Sequence, residues 1–372
     1  MSLPVVSVLM PVYNGARYLA AAIDSIRTQS LEDFELIIVD DGSDDDTPII
    51  LRAYADRDAR VRILRQDHQG LTRSLNTGLR QLRGEFVARM DADDVACPDR
   101  FLRQVEFLRA HLDHVAVGSC VYWIDAAGEP LGPEYWPLTN DEIEQRLGRG
   151  HGGLPHPTLM ARRAALMRLG GYRERFTVAQ DKDLWLRLLE IGKLANLPTI
   201  LLYYRQHAES ISSRQVELQW RMTCEAIEDA CHRRHRPVPT RLRSKKPRPR
   251  GPEHLYRSWS KRARRSGLDR IARKYARKAI ASAPWQPANW WQALLAYAQS
   301  LVKPLAAGVG MPLAHKAVEF EYDVATRVDL TSVVAPQTPY DHARQVAATG
   351  TTVGPTRANL PGPSTASRRV GH

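Results

Sequence analysis

Short apolar runs alternate with amphipathic stretches of helical period over about the first third of the chain. The runs are rich in β-branched residues and comprise Val5–Met10, Glu35–Val39, Val61–Leu64, Glu85–Met90 and Val115–Trp123. Between the first two runs the apolar side chains fall on one helical face, and further helices are predicted to begin near Thr47, Thr72 and Pro98. This alternation predicts an α/β domain with a mostly parallel sheet and crossover helices.

The pattern changes beyond Asp125, where strand-like runs become fewer. A helix is predicted over Asp181–Ile191 and an extended segment over Leu197–Tyr204. A chain of this length can bury one substantial core and still carry an appendage. We therefore expect the α/β domain to span residues 1–215.

The remainder of the chain is expected to form an appendage and a tail. A helical stretch is predicted up to Arg234, and the prolines and charges of residues 236–250 predict a linker without a packed core. Residues 256–301 again have a helical pattern, so residues 216–301 are expected to be a basic appendage of linker and helices. Residues 302–372, which end in a segment rich in Gly, Pro, Ser and Thr, are expected to be irregular to disordered.

The positive charge of the chain is localised. The formal net charge is +12, but 19 Lys and Arg residues against two acidic residues fall within His232–Ile280, so the rest of the chain is mildly acidic. This distribution argues against a nucleic-acid partner. Basic helices followed by Trp285, Trp290 and Trp291 suit an anionic membrane surface, and a solvated Arg-rich face is the alternative. We expect peripheral membrane contact through residues 256–301.

The four cysteines show no Cys-x-x-Cys spacing and no histidine at metal-ligand spacing, so we expect reduced thiols. Residues Met1–Pro4 run into the first strand without the features of a signal peptide, and no apolar stretch is long enough to span a bilayer. These patterns predict a cytoplasmic protein, with a peripheral position at the inner face of the plasma membrane.

Acidic residues form three clusters, and the first follows the second apolar run. It contains Asp40 and Asp41, and Gly42 permits a turn directly after them. A carboxylate in this place can accept a hydrogen bond from the N–H of a pyrimidine ring. The alternative interpretation is that it caps the next helix.

The second cluster, Asp91, Asp93 and Asp94, follows the fourth apolar run. Three carboxylates this close repel one another unless a cation compensates. Mg²⁺ and Mn²⁺ prefer carboxylate, water and phosphate oxygens, so the cluster predicts a site for such an ion with a diphosphate. A solvated acidic turn that caps the next helix is the alternative. Arg89, in an otherwise apolar strand, is expected to pair with a neighbouring carboxylate.

The third cluster, Asp181 and Asp183, lies at the beginning of the helix predicted over Asp181–Ile191. The positive end of a helix stabilises carboxylates in its first turn. Asp181 is a candidate general base. We interpret Asp183 as a first-turn acid with a structural role.

Seven segments occur in the order and spacing of the family 2 glycosyltransferases. They are Val8–Asn14, Val39–Ser43, Gly70–Gly78, Arg89–Asp94, His156–Thr158, Gly170–Tyr172 and Gln180–Trp185. Together they make the chain resemble that family over about Val5–Ser213. The resemblance implies the GT-A fold, a Rossmann-like, mostly parallel sheet with crossover helices.

The resemblance implies nucleotide-binding roles for residues near the first strands. Pro11 and Tyr13 match the segment that lines the base, with Tyr13 stacked on the ring. Asp41, with Asp40 beside it, matches the carboxylate that reads the edge of uracil or another base.

Two later segments resemble parts of the family that approach the phosphates. Gly70 and Arg73 match the loop that closes over the nucleotide. His207 or Arg205, in the segment after the catalytic helix, is placed to approach the diphosphate. A loop histidine without a ligand is the alternative for His207.

The same resemblance implies the residues that perform the chemistry. Asp91 and Asp93 form the family's Asp-x-Asp element, which holds Mg²⁺ or Mn²⁺ and the ribose and diphosphate, and Asp94 is the adjacent acid that is the ligand in some members. Asp181 matches the base that deprotonates the acceptor hydroxyl. The family usually has Glu-Asp there, whereas this chain has Gln180, which alters the charge around the base.

The activity implied is metal-dependent, inverting transfer of a sugar from a nucleotide-sugar donor, with a UDP-sugar expected. The acceptor is expected to be a saccharide or lipid-linked hydroxyl in the synthesis of cell-surface polysaccharide or glycolipid. A nucleotidyltransferase is a rival, but it would begin with a Gly-rich basic loop, which Pro11–Gly15 is not. A non-catalytic nucleotide-sugar-binding module is a second rival, opposed by Asp181 and the complete Asp-x-Asp element.

Overall fold

The computed structural model describes residues 3–207, 215–240, 242 and 251–307. Within these ranges the strands form one nine-stranded sheet flanked by helices, which confirms the expected α/β class. The strands are β1 (Val6–Val12), β2 (Phe34–Asp40), β3 (Val61–Arg65), β4 (Phe86–Arg89), β5 (Val95–Ala96), β6 (His114–Asp125), β7 (Pro130–Glu134), β8 (Met160–Arg162) and β9 (Lys193–Gln206). The expected tail lies outside the described residues from residue 308 onward.

The first half of the sheet is parallel, in the order β3, β2, β1, β4. Every residue of β1 and β2 is buried, because parallel strands covered by helices on both faces need near-continuous apolar runs. Val12 of β1 lies opposite Asp40, and Leu9 lies opposite Arg89 of β4. The acidic clusters after β2 and β4 therefore lie on either side of β1, at one edge of the sheet.

The second half of the sheet is mixed and continues from β4 through β8, β6, β9 and β5. β8 pairs antiparallel with both β4 and β6, whereas β6 and β9 run parallel. Near the end of β9, Arg205 pairs with Ile124 and Gln206 with Asp125 of β6. The expected parallel arrangement thus holds for the first half, and the long strand β9 brings its last residues towards the cluster after β4.

Helices cover both faces of the sheet. They are α1 (Ala16–Arg27), α2 (Thr47–Ala55), α3 (Leu71–Leu79), α4 (Arg100–Ala110), α5 (Asn140–Gly148), α6 (Arg163–Arg168), α7 (Gln180–Leu188), α8 (Val216–Arg233), α9 (Pro252–Arg265), α10 (Asp269–Ser282) and α11 (Pro287–Ala307). Successive residues of β1 belong to different buried clusters, Val8 and Met10 to one and Leu9 to the other. Each face of the sheet therefore has its own core. The four cysteines are thiols, as expected.

Helix α8 packs against the α/β domain, beyond the boundary expected at residue 215. Four of its residues belong to the buried cluster that also contains Trp185 of α7, namely Cys224, Ala226, Ile227 and Ala230. Leu242 is buried in that cluster and Val238 packs against it. The expectation of an unpacked linker over 236–250 is therefore wrong at these two positions, because both apolar side chains find a place beside α8.

Helices α9, α10 and α11 form a bundle around a third buried cluster, which includes Trp259, Ile271 and Tyr275. Leu131 of β7 is fully buried in the same cluster, so the hairpin of β6 and β7 joins the bundle to the sheet. The helical pattern over 256–301 corresponds to these three helices, of which α11 continues to Ala307. The expectation of an irregular tail from residue 302 is therefore wrong at residues 302–307, because the last helix is longer than its pattern predicted. In the part of the chain that the structure describes, no helix combines the length and hydropathy needed to cross a bilayer.

Candidate active site

The loop between β3 and α3 closes around the carboxylate of Asp41. Asp41 is buried and accepts hydrogen bonds from the backbone N–H groups of Gln69 and Gly70, at 3.0 and 2.8 Å, and from the side-chain amide of Gln66 at 2.6 Å. Burial raises the pKa of Asp41, but these hydrogen bonds outweigh it and leave the pKa below its ordinary value. Asp41 is thus a charged group that also fixes the loop before α3.

An aromatic pair lies beside this carboxylate. Tyr13, 48% exposed after the end of β1, has its ring centroid 4.0 Å from that of His68. Nδ1 of His68 lies 3.0 Å from Oδ2 of Asp41. The two rings form an exposed aromatic surface on which a planar base can stack. Sequence interpretation missed His68, whose only signal was its place two residues ahead of Gly70.

Asp40 and Pro11 lie inside the sheet. Asp40 is 1% exposed and accepts a hydrogen bond from the backbone N–H of Ser43 at 3.0 Å, which closes the turn after β2. The alternative that this cluster caps the next helix is wrong, because α2 begins only at Thr47 and its N-cap residue is Asp46. Pro11 is buried in β1. Both residues therefore shape the strand ends that present Tyr13 and Asp41.

The start of α3 is open on one side. Gly70 has a φ of +88°, a conformation that favours glycine, and a Cβ added there would meet no heavy atom within 4 Å. A ligand can therefore approach the backbone closely at this point. Arg73, in the first turn of α3, donates from Nε to Oε2 of Glu174 at 3.2 Å, so its guanidinium bridges α3 to the segment before α7.

Arg89 and Asp91 form an ion pair at the end of β4. Arg89 is 2% exposed, and its two terminal nitrogens donate to the two oxygens of Asp91. The expected pairing of Arg89 with a nearby carboxylate is thus confirmed. Because this bidentate contact fixes Asp91 and offsets its charge, Asp93 and Asp94 are the better candidates for direct contact with a cation.

Asp91, Asp93 and Asp94, here called the Asp cluster, each offer one carboxylate oxygen that lies within 4.8 Å of the other two. Asp94 is fully buried, and its Oδ1 accepts the backbone N–H of Arg205 at 2.8 Å, but its Oδ2 has no hydrogen-bond partner among the described residues. Burial and the charges of Asp93 and Asp91 raise the pKa of Asp94 well above its ordinary value. A hard divalent cation fits this arrangement, because it would supply the missing partner.

The end of β9 lies against the Asp cluster. Arg205, 7% exposed, donates from Nε to the backbone carbonyl of Asp93 at 2.7 Å and from Nη1 to that of Asp125 at 3.2 Å. Its guanidinium also lies 4.4 Å from the ring centroid of Tyr18. His207 places Nε2 2.9 Å from Oδ2 of Asp93. Arg205 is therefore a buried support of the cluster, whereas His207 touches a carboxylate that is itself partly exposed.

Asp181 lies in the first turn of α7 and is half-buried. The residue before the helix, Ala179, has a φ of 57°, a strained conformation for a non-glycine residue that is typical of functional turns. Burial raises the pKa of Asp91 against the opposing charge of Arg89, and the negative charges of Asp93 and Asp181 add to the rise. Asp181 is thus close enough to the Asp cluster to interact with it electrostatically.

Asp183 has a different environment from Asp181, although both lie in the same turn. It is fully buried, accepts a hydrogen bond from Nε of Arg187 at 3.0 Å, and is also paired with Arg173. This geometry agrees with the interpretation of Asp183 as a structural acid. Asp181 is the more accessible of the two.

His156 and Tyr172 contact each other beside α7. Nε2 of His156 lies 2.8 Å from the hydroxyl oxygen of Tyr172, and the His156 ring packs edge-on against Trp185 of α7 at 5.8 Å between centroids. Burial and then the positive charge of Arg89 hold the pKa of His156 well below its ordinary value. The imidazole is therefore neutral at neutral pH, and this region packs α7 against the end of β4.

Known proteins with similar sequences are glycosyltransferases. The profile described as Glycosyl transferase family 2 matches residues 7–170. The putative glycosyltransferase EpsE of Bacillus subtilis (strain 168) is 35% identical over 218 residues, which cover 57% of this chain and 76% of EpsE. The O-antigen biosynthesis glycosyltransferase WbnJ of Escherichia coli is 34% identical over 212 residues, which cover 56% of this chain and 82% of WbnJ. The profile match includes Asp41 and the Asp cluster and ends before α7.

A solved structure of similar fold is that of S. aureus TarS 1–349 in complex with UDP-GlcNAc. It superposes with a TM-score of 0.51 at 16% sequence identity, over 82% of this chain and 92% of TarS 1–349. At this identity the likeness concerns the fold alone. It agrees with the GT-A architecture that the sequence predicted.

Proposed function

This chain belongs to glycosyltransferase family 2, and we propose that it transfers a sugar from a nucleoside-diphosphate sugar to an acceptor hydroxyl, with inversion at the anomeric carbon. The observation that carries the proposal is the buried Oδ2 of Asp94 within the Asp cluster, which has no hydrogen-bond partner among the residues that the structure describes, with the accessible acid Asp181 nearby. The cluster suits a diphosphate bound together with a cation, and the separate acid suits the acceptor.

The base of the nucleotide is assigned to the pocket wall formed by Tyr13 and His68 beside Asp41. An ionised carboxylate has about four acceptor positions, and in Asp41 three hydrogen bonds and the contact with Nδ1 of His68 occupy them. The N–H of a pyrimidine would therefore bind Asp41 in place of the His68 nitrogen. UDP is the first nucleotide to test, because the TarS structure of similar fold is a complex with UDP-GlcNAc.

Asp41→Ala should weaken the binding of UDP at least about tenfold, since the variant loses a charged acceptor and the bonds that fix the loop before α3. Isothermal calorimetry with UDP measures this effect. Asp67→Ala is the matched control, because Asp67 is exposed in the same loop. Unchanged UDP affinity in Asp41→Ala would move the base site elsewhere.

The diphosphate is assigned to the Asp cluster. Asp93 and Asp94 would hold Mg²⁺ or Mn²⁺, and Asp91, fixed by Arg89, would orient the ribose and lie within reach of the same ion. When bound, the cation supplies positive charge against the leaving diphosphate. His207, whose Nε2 lies against Asp93, would turn that N–H to a phosphate oxygen when the cation takes Asp93 as a ligand.

The acceptor is assigned to the side of Asp181. Asp181 lies in the first turn of α7, and its carboxylate can take the proton of a hydroxyl as that oxygen attacks. Attack on the face opposite the leaving diphosphate inverts the anomeric centre, so an α-linked donor gives a β-linked product. Because Gln180 stands before Asp181, the base lacks one negative neighbour that the family usually provides.

The proposed function is tested by incubating the purified full chain with a panel of nucleotide sugars, with and without Mn²⁺. Release of a nucleoside diphosphate that depends on the sugar, the acceptor and the ion would support it. Release of pyrophosphate from a nucleoside triphosphate and a sugar phosphate would indicate nucleotidyl transfer instead. Binding of a nucleotide sugar without any release would indicate a non-catalytic binding module.

An exposed apolar surface, here called the tryptophan face, supports peripheral contact with an anionic membrane. It is formed by Trp285, Trp290, Trp291 and Leu294, which are 56–76% exposed. Arg273 of α10 lies 5.8 Å from the ring centroid of Tyr297 on the neighbouring α11, and the segment from Arg270 to Ala307 contains no acidic residue. Indoles beside cations, without acids, suit the boundary of an anionic bilayer.

The tryptophan face indicates a location in the cell at which the enzyme would act. Contact of residues 256–301 with the inner face of the plasma membrane would bring the cytoplasmic enzyme to a saccharide or lipid-linked acceptor. Synthesis of cell-surface polysaccharide or glycolipid is the process proposed, and the similarity to an O-antigen biosynthesis glycosyltransferase supports it.

Replacing Trp285, Trp290 and Trp291 together by Ser should lower sedimentation of the full chain with phosphatidylglycerol vesicles at least about tenfold, because the variant loses apolar area that enters the bilayer boundary. High salt should weaken the binding of the unmodified chain. Leu112→Ser, at a residue 81% exposed elsewhere, is the control. Equal sedimentation of the triple variant and the unmodified chain would contradict membrane contact through the tryptophan face. A deletion after Gln215 is a poorer test, because it also removes the core helix α8.

A further inference from the structure

The bundle of α9, α10 and α11 contacts a buried carboxylate of the sheet, that of Asp125 at the end of β6. Asp125 is 2% exposed, and its Oδ1 accepts the backbone N–H groups of Ala127 and Glu129, each at 2.8 Å. Its Oδ2 accepts hydrogen bonds from Nζ of Lys274 at 2.8 Å and from the hydroxyl of Tyr275. Both of these donors lie on α10. The bundle therefore fixes the turn between β6 and β7 through the carboxylate of Asp125.

The backbone of Asp125 continues this chain of contacts to the donor side of the site. Its carbonyl oxygen accepts a hydrogen bond from Nη1 of Arg205. The same Arg205 donates from Nε to the backbone carbonyl of Asp93 and from its backbone N–H to Oδ1 of Asp94. Because the guanidinium is planar and its donors have a fixed geometry, a shift of Asp125 would move the guanidinium relative to the carbonyl of Asp93. Since Asp125 also pairs with Gln206 of β9, the same shift would move the backbone N–H that Arg205 donates to Asp94.

The bundle is also attached to the hairpin independently of Asp125. The guanidinium of Arg262 lies 4.0 Å from the ring centroid of Trp123 on β6, and it donates from Nη1 to the backbone carbonyl of Pro133 on β7 at 2.7 Å. Leu131 of β7 is fully buried in the bundle's own core. Loss of the contacts to Asp125 alone is therefore expected to leave the bundle docked.

We propose that Lys274 and Tyr275 are positioning residues for the donor site, which act on the Asp cluster through Asp125 and Arg205. The helical bundle is then a support of the catalytic centre in addition to any role on a membrane. Residues behind the groups that bind a metal commonly change its affinity ten- to a hundredfold when they are removed. The expected effect of the two residues on metal and donor binding rests on the proposed function. Their effect on the position of Arg205 rests only on the contacts described above.

The test compares the full chain with the double variant Lys274→Met, Tyr275→Phe. Hydrogen exchange of the backbone over residues 203–207 reports the position of Arg205, and calorimetry with Mn²⁺ reports the Asp cluster. We expect faster exchange over 203–207 and Mn²⁺ affinity weaker by about tenfold. Arg270→Met is the matched control, because Arg270 lies on the same helix and contacts Glu129 but is not among the donors to Asp125. The control should leave both measurements unchanged.

The other possible results count either against this inference or against the proposed function. A double variant with lower thermal stability but unchanged hydrogen exchange over 203–207 and unchanged Mn²⁺ affinity would show that the two residues have only a structural role. That result would overturn the inference. If the double variant does not fold, Tyr275→Phe alone gives the same two measurements with a smaller expected change, and no change in either would overturn the proposal. Absence of sugar transfer by the unmodified chain would count against the proposed function, whereas exchange over 203–207 still decides the positioning role.

Discussion

Asp93→Ala is expected to lower the rate of sugar transfer at least about a hundredfold, the effect typical of removing a major electrostatic stabiliser of a leaving group. The side chain of Asp93 is 32% exposed and contacts His207, so its truncation leaves no cavity in the core. The backbone carbonyl that accepts from Arg205 is unchanged in the variant. The fold should therefore survive, and the loss should come from the site itself.

Initial rates of nucleoside diphosphate release, measured over a range of Mn²⁺ concentrations, check this result, and circular dichroism checks the fold. Asp113→Ala is the matched control, since Asp113 is an exposed aspartate just before β6, paired with Lys193. The control should transfer sugar at the unmodified rate. Normal turnover by Asp93→Ala in metal-depleted buffer would contradict the assignment of the Asp cluster.

The parallel half of the sheet was predictable because its strands are encoded locally. The run Glu35–Val39 becomes β2, Phe34–Asp40, and Val61–Leu64 becomes β3, Val61–Arg65. A strand buried on both faces, such as β2, requires a near-continuous apolar run. The edge strand β3 is only partly buried, but its apolar positions are likewise visible without knowledge of its partner. By contrast β8, only three residues long, is a strand because it pairs antiparallel with both β4 and β6. No local sequence pattern predicts this pairing.

The acidic residues of the site were also predictable, but their partners were not. Carboxylates after strand ends are visible in the sequence, and Arg89 was expected to pair with one of them. The support from Arg205 joins residues more than a hundred positions apart, because the antiparallel register of β9 with β5, in which Tyr203 lies opposite Val95, brings it to Asp93. The sequence interpretation allowed Arg205 to approach the diphosphate, whereas the structure shows its guanidinium engaged with the protein's own carbonyl groups.

The position of the bundle depends on tertiary contacts in the same way. A basic helical stretch with tryptophans is evident from composition, and it predicted a surface role. That Lys274 reaches Asp125 of the sheet follows only from the docking of α10 on the hairpin of β6 and β7. Charge counting could not separate this lysine, which has a buried partner, from the exposed cations around it.

Asp181→Asn is expected to lower sugar transfer roughly a hundredfold or more, while the affinities for the donor and the metal stay near those of the unmodified chain. An acceptor hydroxyl is a poor nucleophile at neutral pH, so transfer needs a carboxylate that takes its proton, whereas nucleotide binding does not. Asn keeps the size and polarity of Asp but cannot accept that proton. The rate constant at saturating donor should therefore fall without a matching change in donor affinity.

Asp183→Asn is the matched comparison, because it makes the same change in the same turn of α7. Asp183 is fully buried between Arg173 and Arg187, so losing its charge should cost about 3 kcal/mol of folding free energy and lower the melting temperature. The folded fraction should still transfer sugar at a rate close to normal. If Asp183→Asn abolishes transfer and Asp181→Asn does not, the two roles are reversed. If both variants transfer normally, the base lies outside α7, and the assignment of this helix to the acceptor side is wrong.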